Sequence, residues 1–202
     1  MQIEEAACGI ALKSGLFAVT LRAVAAEVGV TPALVAHYEP NMEDLTVRTF
    51  ASIVSDELEE VRRLVATEDS EGARLTLLLQ TLLEPRRTDV TLVWMQAWAL
   101  GRRSDALAQS VREQLDGWEA LIAELIDAVE GVSGTEGVAG SRLLARQVLG
   151  VIGGLNSHSL VDWHDNQDQL ALLTHSVEAL LRMPVGALSS DQHRPARNHE
   201  AT

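Results

Sequence analysis

Apolar positions recur along this chain every three or four residues, and polar or glycine breaks separate the runs. Ile3, Ala7, Ile10 and Ala11 mark one face of a first helix over 3–14, which Gly15 closes. Thr20 can cap a second helix, with Leu21, Val24, Ala25 and Val28 on one face and Gly29 at its end. Thr31 followed by Pro32 is a strong start signal. The hydroxyl can accept an orphan amide, and proline suits the first helical position. That third helix spans two turns, 31–38, because Pro40 blocks its continuation. Asn41 can cap a fourth, with Glu43 and Asp44 placed to suit the helix dipole. Leu45, Phe50, Ile53, Val54, Leu58, Val61, Leu64 and Val65 carry it to about Ala66.

Further helices are expected over 71–84, 87–101, 104–130, 141–163 and 167–182. The breaks between them are the polar segment 67–72, Pro85, Gly101 and the glycines at 131, 134, 137 and 140. No alternating β-branched run suggests a strand. The pattern therefore predicts an all-α fold of about nine helices. Residues 1–46 form a three-helix N-terminal domain of helix-turn-helix type and 47–183 a C-terminal helical bundle. Residues 184–202 are expected to be a disordered tail.

Composition narrows the function. The chain has 202 residues, 47% hydrophobic and 22% charged, enough to bury a core. Its one cysteine, Cys8, excludes an intramolecular disulfide and a four-cysteine zinc site, and reads as a helix-packing residue. No apolar run approaches the roughly 18 residues of a membrane-spanning helix. The start Met1-Gln-Ile-Glu-Glu carries two acids and no base, unlike a secretory signal, so a cytoplasmic location is expected. Sixteen bases against 29 acids give a net charge of −13, which argues against indiscriminate coating of nucleic acid or acidic membranes. A local DNA-binding surface stays open. Phosphate loops, nucleophile elbows and dense clusters of His, Asp and Glu are missing, so neither an enzyme nor a cofactor is expected. His158 and Asp162, four residues apart near Trp163, His164 and Asp165, offer at most two ligands, and no metal is expected.

Residues 20–30, TLRAVAAEVGV, followed by TPALVAHY at 31–38, have the physics of a helix-turn-helix. Gly29 supplies the turn, and small Ala25 allows the two helices to cross closely. Val24, Val30, Leu34 and Val35 are expected to fill the space between them. The second helix is then free to enter a major groove. With the approach from Gly15 and PNMEDL at 40–45, the segment resembles the DNA-binding domain of TetR-type repressors. The later helices, with Trp94-Met-Gln-Ala-Trp98, Trp118 and Val151-Ile-Gly-Gly-Leu155, are similar to the C-terminal domain of the BetI-like branch. The resemblance implies a homodimer that binds a double-stranded DNA operator and releases it on binding a small-molecule effector. It places base reading on Thr31, Pro32, Ala33 and His37, and phosphate contacts on Thr20, Arg22, Tyr38 and Asn41.

The head departs from the family where Glu39 replaces an aromatic residue and Met42 a lysine that meets a phosphate. Residues 1–45 hold two bases, Lys13 and Arg22, against six acids, and lack the usual basic arm. Three readings stay open: modest affinity, a basic leader ahead of Met1, or a silenced head. The last gives the alternative function, a ligand-binding or protein-interaction dimer with a weakened DNA-binding head.

Trp94, Trp98 and Trp118 are expected to wall a ligand cavity, since such sites are mostly apolar with a few placed polar groups. Arg102, Asn156, Ser159 and Asp162 are the chosen polar partners. Gln96 and His158 are further polar candidates, and of these a regular helix points Gln96 away from both Trp94 and Trp98. The resemblance implies that the helices near 141–163 and 167–182 form the dimer seam, and they carry surplus apolar surface.

Overall fold

The computed structural model describes residues 2–129, 138–163 and 165–188. Among them are nine α-helices and no strand. They are α1 Gln2–Ser14, α2 Leu21–Val28, α3 Pro32–Tyr38, α4 Met42–Val65, α5 Glu71–Leu82, α6 Thr88–Gly101, α7 Asp105–Ala128, α8 Val138–Ser159 and α9 Asn166–Leu180. Short 3-10 turns sit at Leu16–Ala18 and Pro85–Arg87. No helix among the described residues is long and apolar enough to cross a membrane.

The caps work as the residue types dictate. Thr20, Thr31, Asn41, Ser70 and Ser104 each accept an amide hydrogen bond from the first turn of their helix. Gly29 takes the left-handed conformation, φ 76°, and lets its amide and that of Val30 bond back into α2. The head packs α1 on α2 and α4, and α2 on α3, around buried Ala7, Ala11, Val24, Ala25, Val35, Leu45 and Phe50. α7 is the axis of the rest, touching α4, α5, α6 and α8. α9 closes the outside against α5 and α8.

Four expectations need correction. Leu34 does not fill the space between the reading-head helices; it is 43% exposed, because Val35 takes the buried position of its short helix. The eighth helix starts at Val138, so Gly140 is helical, and it stops at Ser159 rather than 163. There the amides of Val161 and Trp163 return to the carbonyl of His158, and Asp162 turns left-handed at φ 53°. Asp165 then caps α9. The tail is ordered at its start: Leu188 is buried, and Gly186 and Leu188 donate amides to the carboxylate of Glu178. Glu178 is itself buried, and a buried carboxylate demands such donors. Residues 189–202 lie outside the described residues, as do His164 and most of the expected glycine loop.

Candidate DNA-binding face and ligand cavity

The two helices of the reading head leave one face open. Thr20, Arg22, Thr31, Pro32, Ala33, His37, Tyr38 and Asn41 are all exposed. Thr20, Thr31 and Asn41 use a side-chain oxygen for capping, which fixes each at a helix start, where free amides suit a phosphate. Their hydroxyl or amide hydrogens stay free to donate. His37 and Tyr38 meet edge to face, with ring centroids 5.2 Å apart. Exposed Leu34 adds an apolar group on the same short helix, suited to a thymine methyl.

The two departures in the head have local causes. Arg48, on α4, holds Glu39 at 2.7 Å and Glu4 at 2.6 Å, so the acid at the end of α3 is matched by a base. Those contacts push the guanidinium's already high pKa further up. Met42 is half-buried against the core, in the place from which a lysine would have to reach outward.

In the bundle, α4, α6, α7 and α8 enclose a cavity of about 80 Å³. Trp94, Trp98, Trp118 and Asn156 line it, as four of the seven expected ligand residues. Phe50 meets Trp94 edge to face at 5.1 Å, and Trp94 lies 6.2 Å from Trp98. Gly153 gives Trp98 room: a β-carbon there would stand 3.4 Å from the indole. Asn156 donates to the carbonyl of Leu82, 3.1 Å away, which ties α8 to the end of α5. A larger groove of about 710 Å³ shares Met95, Trp98, Leu115, Leu149 and Gly153 with the cavity.

The other three expected ligand residues lie elsewhere. Arg102 follows the end of α6, exposed and outside both spaces. Ser159 and Asp162 line a separate polar cavity of about 220 Å³, which Asn156 also borders. Ser159 is the last residue of α8 and Asp162 lies in the turn beyond it, and neither lines the tryptophan cavity. His158 packs edge-on against Trp163 at 4.5 Å.

Two wall residues were missed by sequence reasoning. Glu57 and Arg87 form an ion pair at 3.1 Å, both nearly buried, with Glu60 3.7 Å from the same guanidinium. Burial pushes the Glu57 carboxyl up from its ordinary value, against the opposing pull of Arg87. Glu57 was legible: it stands four residues from both Ile53 and Val61 on the buried face of α4. Arg87 sits in the turn after Pro85, where no periodicity marks it.

The head and the cavity share α6. Gln96, which a regular helix turns away from the tryptophans, accepts the Phe17 amide at 2.9 Å. Gly15, at φ 81°, leaves the room for it, since a β-carbon there would collide with the Gln96 side chain. Ser104, the cap of α7, donates to Glu43 in the first turn of α4.

Comparison with known proteins fits this arrangement. The profile of a family described as BetI-type transcriptional repressor, C-terminal, matches residues 71–182, more than half of the chain. Among solved structures, a TetR-family transcriptional regulator from Rhodococcus sp. superposes with a TM-score of 0.72 at 19% identity, over 89% of this chain and 96% of that one. A transcriptional regulator from Saccharomonospora viridis in complex with choline gives 0.75 at 20% identity, over 88% and 94%. The regulator FadR from Bacillus subtilis in complex with stearoyl-CoA gives 0.64 at 20% identity, over 90% and 97%. No curated protein matches the chain.

Proposed function

The chain belongs to the TetR family of transcriptional regulators, with a C-terminal domain of the BetI repressor type, and we propose that it represses by occupying an operator until a small molecule releases it. The observation that carries this reading is the shared helix. α6 lines the cavity through Trp94 and Trp98 and receives the head's Phe17 amide through Gln96. A ligand that favours one setting of α6 therefore biases the setting of the head.

In this reading Thr31, Pro32, Ala33 and His37 face the bases, with Leu34 beside them. Thr20, Arg22, Tyr38 and Asn41 position the phosphates. Two chains joined through α8 and α9 set their recognition helices about 34 Å apart, one turn of DNA. Ligand binds the dimer in which that spacing is wrong, DNA the dimer in which it is right. The neighbours with choline and stearoyl-CoA support a small-molecule site in such a bundle without naming this one's ligand.

The test is fluorescence anisotropy with duplexes from the region flanking its own gene, at about 50 and 200 mM salt. Saturable, sequence-selective binding with a shallow salt slope is expected, since the head offers few bases. The acidic head favours one other reading, a ligand-binding dimer with a weakened DNA head. Lack of binding at the lower salt would replace the repressor reading with that one.

A further inference from the structure

The cavity wall holds two donors with nothing to donate to. The Trp118 Nε1–H and the Arg87 Nε–H are buried and lack a hydrogen-bond partner. Both residues line the same space, and they are only 4% and 8% exposed. Buried donors are almost always satisfied, and each orphan destabilises the empty state. Both belong to residues of one cavity wall, so a shift of either side chain toward a ligand's acceptor would satisfy its donor.

The charges around them limit what carries that acceptor. Arg87 already faces two carboxylates, Glu57 at 3.1 Å and Glu60 at 3.7 Å. An anion entering here finds the one base of the wall already paired with Glu57 and shared with Glu60 outside it. A cation without an acceptor meets the Arg87 guanidinium and leaves both donors unmet. The indoles of Trp94, Trp98 and Trp118 supply faces for a flat ring.

From this we infer that the cavity takes an uncharged aromatic compound whose hydrogen-bond acceptor, a carbonyl or ring nitrogen, reaches Trp118 and Arg87. The inference rests on the reading of this cavity as the effector site. The small inner space holds the ring and its acceptor, and larger substituents extend into the neighbouring groove of about 710 Å³.

Four benzene derivatives separate the possibilities by calorimetry on the full chain: acetophenone, ethylbenzene, benzoate and benzyltrimethylammonium. Acetophenone should bind about three- to tenfold more tightly than ethylbenzene, the worth of a net hydrogen bond. Trp118→Phe keeps a ring but removes the donor, and should reduce that advantage while leaving ethylbenzene unchanged. If Trp118→Phe does not fold, Arg87→Lys keeps the charge, removes the Nε donor and should have the same effect. Tightest binding by benzoate or benzyltrimethylammonium, an undiminished advantage in the variants, or no binding of any probe would overturn the inference. Adding an operator duplex separates the two proposals. If acetophenone binds in the expected order and the duplex stays bound, ligand release fails and the cavity chemistry stands. If benzyltrimethylammonium displaces the duplex, the reverse holds.

Discussion

Glu39 and Arg48 show how one residue changes the electrostatics of the head. An acid stands just after the recognition helix, and Arg48 holds it at 2.7 Å. Glu39→Gln removes the charge and frees Arg48 toward solvent, leaving it only Glu4. DNA affinity at about 50 mM salt should rise by roughly three- to tenfold, and the gain should shrink at about 200 mM as salt screens it. Anisotropy at the two salt concentrations reads both effects. Thermal stability should fall by about 1 kcal/mol at most, since Glu39 is only 18% exposed but its partner Arg48 is well exposed and keeps Glu4. Glu57 behaves in the opposite way, because burial raises its carboxyl above the ordinary value of 4.5. The folded chain then binds that proton more tightly than the unfolded one. Its contribution is most favourable below pH 4.5 and falls as pH rises toward the raised value. Wild type should therefore lose stability relative to Glu57→Gln as pH climbs from about 4 to 7, measured as the difference between their urea midpoints. A constant difference would mean that Arg87 has cancelled the desolvation.

At the scale of elements, α6 is the link between chemistry and readout. Gln96→Ala removes the only side-chain hydrogen bond, among the described residues, from α6 to the 3-10 turn at Leu16–Ala18. It leaves the cavity lining intact. Ligand affinity and DNA affinity should each persist, while the effect of one on the other falls from the usual coupling of about 1–3 kcal/mol toward zero. The measurement is the DNA dissociation constant with and without a bound ligand, in both proteins. The sequence already contained the helices, because their signals are local: caps at Thr20, Thr31 and Ser104, breakers at Gly29 and Pro40, and apolar faces between them. It also contained the grouping of the three tryptophans. The Phe17–Gln96 bond was invisible, since its partners are 79 residues apart. A regular helix does turn Gln96 from the tryptophans; the sequence could not say that the head would be waiting there. Asp162 was misplaced because the spacing from Asn156 assumes a helix that ends at Ser159. Arg87 was missed because a turn has no period to betray it.

At the scale of the molecule, the described chain leaves large apolar side chains uncovered on its last two helices. Leu143 on α8 is 58% exposed and Leu172 on α9 is 54% exposed. Leucines so exposed on adjacent helices fit a surface that a second chain covers, and a two-fold seam repeats each contact in both directions. A single charge introduced there is felt twice, once from each chain. Leu143→Glu and Leu172→Glu should each shift the chain from dimer to monomer by sedimentation velocity. The fold should survive, because neither leucine belongs to the core, and circular dichroism should still report full helix content. DNA binding should fall much further than the change of one charge explains. A lone head loses the second half-site, and with it the high local concentration that a linked partner provides. The apparent affinity for a two-half-site duplex should drop by a factor of about a hundred or more. Binding to a single half-site should move little. Variants that stay dimeric would place the seam on another face, and monomers that keep full operator affinity would break the link between pairing and recognition.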